Sequence, residues 1–265
     1  MSIKTPISYY GGKQNLVQKI IPLIPENIKV YCEPFFGGGA IFFALNKSAT
    51  DIEIINDTNN MVTNFYEVVK TDFDRLKQKV EATIFSRATY TVAHTMYKMP
   101  HLFDKLQLAW AFFVATNMGF SNKIGSWGLD KYGKRVKAFR NKKLRFDESV
   151  AKRLEKAQIE SKDAVSVIET YDTPDAFFYC DPPYIDSNQG HYGGYTETDY
   201  RRLLDALSQV KGKFILSSYP SDILDEYIQK YGWNSETIDK PLSASKATNK
   251  PRPRKTEVIT RNYSL

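Results

Sequence analysis

The sequence predicts an α/β protein in which an open, mostly parallel sheet carries a mostly helical insertion. Three apolar runs have the length of buried strands, around Val30, at 52–56 and at 176–179, and each ends at turn-forming or acidic residues. A helical spacing of apolar residues begins after the second run, within 58–155. With 265 residues the chain can bury one large core or two small ones.

Local signals predict the remaining elements in chain order. Thr196 and Thr198 are candidate N-caps for a helix that contains Leu203, and Ser221 is a candidate N-cap for a helix that ends at Gly232. The other predicted elements are helices at 14–24 and 149–157, strands at 158–160, 214–218 and 257–263 (the last one antiparallel), a hairpin or loop at 119–133 and a loop at 185–197.

The most informative run is Asp181-Pro182-Pro183-Tyr184, which follows Cys180 and the predicted strand at 176–179. Neither proline can donate to a sheet ladder, so the strand must end here. In open α/β sheets ligands bind at this edge. Asp181 can accept one hydrogen bond from a planar amino group, the Pro182 carbonyl can accept a second, and Tyr184 can stack on the attached ring. For this tetrapeptide alone, an ordinary turn with an N-capping aspartate is the alternative.

A second signal is the glycine-rich run at 33–40, which lies between the first predicted strand and an apolar helix start at 41–45. Such a turn can hold a ligand against backbone N–H groups, although a tight loop alone would also explain the glycines. The third glycine of the dinucleotide-binding fingerprint is absent, because Phe42 occupies its place. Asp57 ends the next predicted strand, where such folds place an acid on ribose hydroxyls about twenty residues further on.

Together with Tyr9-Tyr10-Gly11-Gly12-Lys13, these motifs resemble those of the Dam-like (D12 class, α-group) DNA adenine-N6 methyltransferases. The family pattern is aromatic-x-Gly-Gly-Lys, then Pro-Phe-x-Gly-x-Gly, a ribose-binding Asp, and Asp-Pro-Pro-Tyr after a long insert. Here the four motifs occur in that order, at 9–13, 34–39, 57 and 181–184, so the resemblance covers nearly the whole chain. Tyr9 is a departure, because the best-known members carry Trp there.

The resemblance implies a Rossmann-like S-adenosylmethionine-dependent methyltransferase sheet with an inserted, mostly helical target-recognition domain. It implies a catalytic domain at 1–57 and 156–265 and a DNA target-recognition domain at 58–155. The implied cofactor is S-adenosylmethionine, with S-adenosylhomocysteine as product. The implied catalytic residues are Asp181, Pro182 and Tyr184. The implied cofactor-binding residues are Tyr9, Tyr10, Lys13, Pro34, Phe35, Gly37, Gly39, Asp57, Asp163 and Asp181.

Two of these assignments have alternatives. Lys13 can lie near the cofactor carboxylate or contact a DNA phosphate, and the resemblance favours the cofactor. Asp163 can lie near the cofactor adenine or be a solvent-facing loop acid. The segment 117–123 resembles the recognition hairpin region of Dam-like enzymes. Phosphate is the expected partner of any single DNA contact, because half or more of protein–DNA hydrogen bonds go to phosphate and sugar. The candidate DNA contacts are Asn122, Lys123, Lys134, Arg135 and Lys137.

The net charge of +7 is unevenly distributed along the chain. Residues 122–145 hold nine basic residues against one acidic residue, a net charge of +8, and residues 240–261 carry a further +6. The remainder is therefore acidic, with a net charge of −7. Two basic segments on an acidic body indicate a polyanionic partner, which we expect to be double-stranded DNA. For either segment alone, a solvated basic loop is the alternative.

Other function classes receive little support from the composition. No apolar run is long enough for a transmembrane helix and no signal peptide is recognisable, so we expect a cytosolic bacterial or phage protein without membrane contact. Cys32 and Cys180 are too few for a disulfide framework, and the three histidines are scattered, so we expect no metal. We expect a monomer or a weak dimer. Whether the chain has a cognate restriction endonuclease as a partner is left open by the sequence.

The predicted reaction is methylation of N6 of an adenine flipped out of duplex DNA. Family relatives that act on cytosine N4 usually carry Ser before Pro-Pro, and those that act on glutamine carry Asn, so Asp181 argues against both. An RNA adenine methyltransferase stays open, because the motif reads only the flipped base. A DNA-binding regulator that has lost or weakened catalysis is a further alternative, against which the intact Lys13, Asp57 and Asp181 argue.

Overall fold

A single mixed sheet contains seven strands in this computed structural model, which describes residues 3–45, 50–120, 124–185, 194–241 and 254–265. The strands are β1 (Val30–Glu33), β2 (Ile52–Asn56), β3 (Ala157–Glu160), β4 (Ala176–Cys180), β5 (Lys213–Ser218), β6 (Asn234–Pro241) and β7 (Arg254–Arg261). Their order is β3-β2-β1-β4-β5-β7-β6. β1, β4 and β5 pair in parallel, whereas β7 is antiparallel to both of its neighbours, β5 and β6. The predicted α/β class and the antiparallel last strand are confirmed.

The helices supply the rest of the regular structure. They are α1 (Val17–Ile20), α2 (Ala40–Ala44), α3 (Asn60–Thr71), α4 (Phe73–Ala82), α5 (Arg87–Lys98), α6 (Lys105–Met118), α7 (Lys134–Arg145), α8 (Glu148–Leu154), α9 (Ala164–Tyr171), α10 (Glu197–Gln209) and α11 (Asp222–Tyr231). Short 3₁₀ turns lie at Ile21–Leu23 and Pro100–Leu102. Among the described residues, no helix has both the length and the apolar character that crossing a bilayer requires.

The structure departs from the sequence prediction at a few elements. Helix α7 was not predicted, because its residues are mostly basic and Phe139 is its one buried residue, so no apolar stripe marks it. Strand β6 is mostly polar, and its ladder with β7 makes it a strand. The predicted helix at 14–24 is shorter, and the described residues of the hairpin predicted at 119–133 form one bridge, between Gly119 and Trp127.

Two compact units share the chain. The first comprises Met1–Leu23, Phe36–Ser48 and Ile55–Ser161, and the second comprises Ile24–Phe35, Ala49–Ile54 and Lys162–Leu265. This division follows packing and not function, so the proposed catalytic and target-recognition domains stay a prediction. Residues 186–193 of the loop predicted at 185–197 lie outside the described residues, and so do residues 242–253 of the basic segment at 240–261.

The first unit buries a continuous aromatic cluster. Neighbouring rings in it lie about one ring diameter apart: the Phe65 and Tyr66 centroids are 5.0 Å apart, and those of Phe36 and Tyr66 are 4.8 Å apart. Aromatic pairs at such distances add to the stabilisation that area burial alone provides. The further members of the cluster are Phe42, Phe43, Phe112, Phe113 and Phe146. The glycine-rich turn between β1 and α2 thus rests on a rigid base.

One apolar cluster of the second unit lies on one face of its strands. Phe178, Phe214 and Leu216 are buried there together with residues of α9, α10 and α11. Because successive side chains of a strand point to opposite faces, Tyr179 and Ser217 belong to the other face. The other face is also buried and mostly apolar, with Phe177, Ile215 and Ile259, and it carries the buried polar groups that are described below.

We predict that Thr196→Ala lowers the free energy of unfolding by about 1 kcal/mol, the usual worth of an N-cap. The Thr196 hydroxyl accepts the Asp199 N–H, and the Asp199 carboxylate accepts the Thr196 N–H at 2.8 Å, so both sides of a capping box are present at the start of α10. Urea unfolding measures the change. Thr198→Ala is the matched control, because Thr198 lies two residues later and is also exposed. Equal losses for the two variants would contradict the capping role.

Candidate active site

The carboxyl ends of β1 and β4 mark the place at which the strand order reverses. The two strands are parallel neighbours, yet β2 and β3 intervene in the chain and lie on the other side of β1. Glu33 and Cys180 end the two strands, and Pro34 and Asp181 follow them directly. Ligands of open α/β sheets bind in the crevice at such a switch point. Asp181 therefore stands at the edge where a ligand is expected.

Asp181 and Tyr184 are joined by a hydrogen bond across the double-proline turn. The Tyr184 hydroxyl donates to Oδ1 of Asp181 at 3.2 Å. The Tyr184 ring packs on Tyr219, with centroids 4.2 Å apart and 61° between the ring planes. Burial, and then the charge of Asp181, raises the pKa of Tyr184 well above its ordinary value, so its hydroxyl stays protonated and can donate. Pro182 is buried and has no N–H, so its carbonyl is its one backbone polar group.

A row of buried polar side chains, the carboxyl-edge row, accompanies Asp181. Its members are Glu33, Tyr179, Ser217 and Glu257, from four strands of the second unit. The Tyr179 hydroxyl and the Ser217 Oγ are 3.0 Å apart, and Tyr31 donates to Oε1 of Glu33 at 2.6 Å. Burial raises the pKa of Tyr179, and the negative charges of Asp181, Glu33 and Glu257 raise it further. The row therefore makes this edge a buried, electronegative environment.

The carboxyl-edge row was missed by the sequence reasoning. One signal could have found part of it: Glu33 and Ser217 are polar residues near the ends of otherwise apolar strands, where a polar group has a cost unless it is paired or used. Tyr219 offered no such signal because it lies in the loop after β5, and Glu257 offered none because it lies within the alternating pattern of the predicted last strand. Their proximity to Tyr184 is a tertiary fact.

The glycine-rich turn of the first unit packs tightly on two aromatic rings. Gly37 and Gly39 have positive φ angles of 48° and 62°. A Cβ atom on Gly37 would lie 2.9 Å from the Tyr9 ring, and one on Gly39 would lie 2.5 Å from the Phe36 ring. Real Cβ atoms do not approach so closely, so glycine is required both for conformation and for packing. Tyr9, which is 8% exposed, supports the turn from behind.

Asp57 holds this turn from the end of β2. Its carboxylate is buried and accepts the N–H of Gly37 at 2.8 Å with Oδ2 and the N–H of Asn59 at 2.9 Å with Oδ1. Asp57 thus joins the glycine-rich turn to the start of α3.

The N-terminal aromatic-glycine run forms a compact turn. The N–H of Gly12 donates to the carbonyl of Tyr9 at 3.2 Å, and Nζ of Lys13 donates to the carbonyl of Gly11 at 3.1 Å. Lys13 is 4% exposed, whereas Tyr10 is half-buried. A buried ammonium is costly unless it is partnered, so its position here indicates an anionic partner or ligand more than a solvated surface charge.

Asp163 has a structural task in the second unit. Its side chain caps α9 by accepting the N–H of Ser166 at 3.1 Å, and it forms a close ion pair with Arg202. The hydrogen bond from Arg202 holds the pKa of Asp163 below its ordinary value. These contacts explain an acid at this position without a ligand. A role of Asp163 near the cofactor stays a prediction.

The candidate DNA contacts differ in their exposure and in their hydrogen-bond partners. Lys134 and Lys137 are exposed on α7. Arg135 is half-buried, and its guanidinium donates to the carbonyls of Met118 and Gly119. Asn122 and Lys123 lie outside the described residues. On the same helix, burial and the charges of Arg145 and Lys4 lower the pKa of Lys142 to about 8, and its ammonium donates to the carbonyl of Thr5.

The chain is similar to known proteins over most of its length. A relative from Methanocaldococcus jannaschii, the type II methyltransferase M.MjaIII, is 28% identical over 76% of this chain and 76% of its own. The type II methyltransferase M1.LlaDCHI of Lactococcus lactis is 26% identical over 96% of this chain and 93% of its own. A solved structure, a precorrin-6y C5,15-methyltransferase from Geobacter metallireducens, has a TM-score of 0.39 at 10% identity over 94% of this chain and 84% of its own, values too low to support an argument.

The family match covers all four motifs. The model of the D12 class N6 adenine-specific DNA methyltransferases matches residues 9–239, which begin at Tyr9 and extend beyond Tyr184. The matched part is most of the chain, and it includes the glycine-rich turn, Asp57 and Asp181. The resemblance on which the sequence interpretation relies is thereby confirmed. The chain belongs to the D12 class of N6 adenine-specific DNA methyltransferases.

Proposed function

We propose that the chain methylates N6 of adenine at a specific sequence in duplex DNA, and that Asp181, Pro182 and Tyr184 act on the flipped base. One observation carries this assignment. At the carboxyl end of β4 a carboxylate and a tyrosine ring are linked by a hydrogen bond of 3.2 Å at a switch point of the sheet. An acceptor for an amino group and a stacking surface for its ring therefore stand side by side.

The proposed chemistry begins with the weak nucleophilicity of the adenine amino group, whose lone pair is delocalised into the ring. Asp181 accepts a hydrogen bond from one N6–H group, and the Pro182 carbonyl accepts a hydrogen bond from the other. These two hydrogen bonds localise the lone pair on nitrogen. With S-adenosylmethionine bound, that lone pair would form the new N–C bond to the methyl carbon, the bond between that carbon and sulfur would break to leave S-adenosylhomocysteine, and one N6 proton would be lost. Holding reactants in such a geometry can supply roughly 7–11 kcal/mol of the barrier reduction.

The electronegative environment favours the same reaction. An amino nitrogen that forms a fourth bond gains positive charge before its proton leaves. The buried carboxylates of Glu33 and Glu257 act on the same edge as Asp181, as the raised pKa of Tyr179 reports. Charges that are fixed before reaction stabilise a developing opposite charge without reorganisation. The carboxyl-edge row therefore supports Asp181 at a distance.

Family membership implies S-adenosylmethionine, which supplies a methyl group on a positively charged sulfur when it is bound. The first unit holds residues whose chemistry suits the ribose hydroxyls and the carboxylate of this cofactor. The Asp57 carboxylate is a hydrogen-bond acceptor of the kind that ribose hydroxyls need, and the buried ammonium of Lys13 is the kind of group that pairs with a carboxylate. Tyr9, Gly37 and Gly39 shape the turn that presents these groups. The remaining proposed contacts are Tyr10, Pro34, Phe35, Asp163 and Asp181.

Duplex DNA is the proposed substrate, and α7 is its proposed backbone contact. Lys134 and Lys137 project from an exposed and strongly basic helix, a pattern that favours phosphate binding. The target adenine lies inside the duplex and must be flipped out, which costs a few kcal/mol. Since similar proteins are type II methyltransferases, we further propose that a restriction endonuclease of the same site specificity is the cognate partner.

The direct test is to map N6-methyladenine in DNA from cells that express the chain. We expect methylated adenines that share one sequence context, and none in cells that express Asp181→Ala. The purified protein is then assayed with labelled S-adenosylmethionine on duplex DNA, single-stranded DNA and RNA. Label on RNA alone would replace the DNA assignment with an RNA adenine methyltransferase. No transfer with intact DNA binding would indicate a regulator.

We predict that Asp181→Ala reduces methyl transfer by about two to three orders of magnitude, the usual cost of removing a charge-stabilising group. Asp181→Asn keeps one acceptor oxygen and loses the charge, so we expect an intermediate rate. Binding of cofactor and DNA should largely survive in both variants, because the interaction is made mostly in the transition state. Single-turnover kinetics measures the rates, and Asp175→Ala, an exposed acid just before β4, is the control. Turnover of Asp181→Ala within tenfold of wild type would rule the role out.

We predict that Tyr184→Ala loses most of the activity, whereas Tyr184→Phe keeps most of it. Stacking on an aromatic ring is worth roughly 1–3 kcal/mol per base, and Phe retains the ring while it loses the hydrogen bond to Asp181. A duplex with 2-aminopurine at the target should brighten on binding to the Phe variant, which reports flipping. Tyr219→Phe is the matched control at the neighbouring ring. Equal losses for Ala and Phe would show that the hydroxyl matters and not the stacking.

We predict that Asp57→Ala weakens S-adenosylmethionine binding by about tenfold or more, because hydrogen bonds to a charged group are worth roughly 1.5–3 kcal/mol. DNA binding should change little. The free protein should also be less stable, since the N–H groups of Gly37 and Asn59 lose their acceptor. Calorimetry and urea unfolding measure the two effects, with the exposed Asp51→Ala as control. Lost stability with unchanged cofactor affinity would reduce Asp57 to a structural residue.

A further inference from the structure

The segment at 5–8, which precedes the aromatic-glycine turn at 9–13, is held by a side chain of α6. The amide oxygen of Asn117, the last residue but one of that helix, accepts the N–H of Ser8 at 3.0 Å. The amide nitrogen of Asn117 donates to the carbonyl of Pro6 at 3.5 Å. The two backbone groups flank Ile7, which is 1% exposed and anchors the segment in the core. One side-chain amide therefore pairs with both polar groups around this anchor.

The amide of Asn117 is oriented by its own helix. Its nitrogen also donates to the carbonyl of Phe113, one turn earlier in α6, at 3.0 Å. Both amide hydrogens thus serve carbonyl groups, and the amide oxygen serves an N–H group. The opposite orientation of the amide would direct its oxygen at two carbonyls, so the hydrogen-bond network admits one orientation. The bond to Ser8 transmits this fixed position to the segment.

A second contact fixes the beginning of the same segment. Nζ of Lys142, on α7, donates to the carbonyl of Thr5 at 2.9 Å, and the Thr5 hydroxyl donates to the carbonyl of Ile7 at 3.0 Å. Residues 5–8 belong to no helix or strand. Backbone groups outside regular structure depend on side chains or water for their hydrogen bonds. The path of the segment is therefore determined by side chains of the helices on which it lies.

The segment leads directly into the 9–13 turn. Tyr9 follows Ser8, and a Cβ atom on Gly37 would lie 2.9 Å from the Tyr9 ring. Phe112, on the same helix as Asn117, packs on that ring with centroids 6.3 Å apart. The N–H of Gly12 closes the turn on the carbonyl of Tyr9 at 3.2 Å. A shift of the segment would therefore displace Tyr9 from the glycine-rich turn and move the rest of the 9–13 turn with it.

We propose that Asn117 is a positioning residue for cofactor binding, which sets the place of Tyr9 and Lys13 by holding the segment at 5–8. The proposal rests on the proposed function, in which the 9–13 turn binds S-adenosylmethionine. Asn117 begins the segment 117–123 that resembles a DNA recognition region, yet both of its amide hydrogens are used within the protein. The predicted helical insertion thus supports the cofactor site through this residue.

Asn117→Ala should weaken S-adenosylmethionine binding about fivefold to tenfold, since loss of its hydrogen bonds lowers the fraction of free protein whose turn is formed. Isothermal titration calorimetry measures the affinity. Asn64→Ala is the matched control, because the Asn64 amide donates to the carbonyl of Lys105 at 3.0 Å, at the other end of α6. This control should bind the cofactor as wild type does. Equal weakening in both variants would assign the effect to α6 as a whole and overturn the proposal.

Steady-state kinetics separates a positioning role from a catalytic one. In Asn117→Ala the KM for S-adenosylmethionine should rise with the dissociation constant, while kcat stays within about twofold of wild type, because saturating cofactor restores the turn. The KM for duplex DNA should not change. A lower kcat with an unchanged cofactor KM would overturn the proposal. A raised DNA KM with unchanged cofactor affinity would overturn it as well and make Asn117 a DNA contact.

Asn117→Asp tests the orientation of the amide in a variant of nearly the same shape, and it serves also if Asn117→Ala does not fold. The carboxylate keeps an acceptor for Ser8 but directs an oxygen at the carbonyls of Pro6 and Phe113. We expect cofactor affinity to fall by a similar factor, with cooperative urea unfolding retained. Wild-type affinity in this variant would overturn the orientation on which the proposal depends.

Hydrogen exchange of the free protein distinguishes failure of the hold from failure of the function. The N–H groups of Ser8 and Gly12 should exchange faster in Asn117→Ala than in wild type, and saturating S-adenosylmethionine should restore the protection of Gly12. Unchanged exchange would overturn the hold. Faster exchange with wild-type cofactor affinity would overturn the role in cofactor binding. A wild-type protein that does not bind S-adenosylmethionine would overturn the proposed function, and faster exchange would then mark Asn117 as purely structural.

Discussion

The structure of the catalytic edge depends on one constraint, the inability of two successive prolines to donate to a sheet ladder. Every residue of β4 is buried, and the strand must end before Pro182 because proline has no N–H to donate to the neighbouring strand. The end falls beside the end of β1, where the strand order reverses. The chain therefore delivers Asp181 to the switch point and brings Tyr184 back to it within a single turn.

Buried charge is concentrated where ligands are proposed. In the first unit Lys13 and Asp57 are almost fully buried, and in the second unit Glu33 and Glu257 are. Burying a charged group costs free energy that hydrogen bonds only partly return, so a folded chain rarely keeps such groups without a use. Asp57 shows how the cost is offset, because it also binds the glycine-rich turn. Function and local stability are served by the same carboxylate.

Basic residues on one helix can have different tasks, and charge alone does not separate them. Lys137 and Arg135 lie two residues apart in a run with a net charge of +8, and both suggest phosphate binding when they are taken from sequence. Their burial differs, because one points outward and the other donates to two carbonyls of a neighbouring loop. Gly128, whose missing side chain admits the guanidinium, gave no recognisable signal in the sequence.

The sequence by itself determined the local features: strands that end at prolines, the cap at Ser221, the left-handed glycine at Gly232, and the family motifs. These depend on residues close in the chain, whose conformational preferences hold in any context. Only the tertiary structure decided that β6 is a strand, that Tyr219 supports Tyr184, and that Arg135 faces inward. Each of these facts depends on residues distant in the chain or on burial, which no local preference encodes.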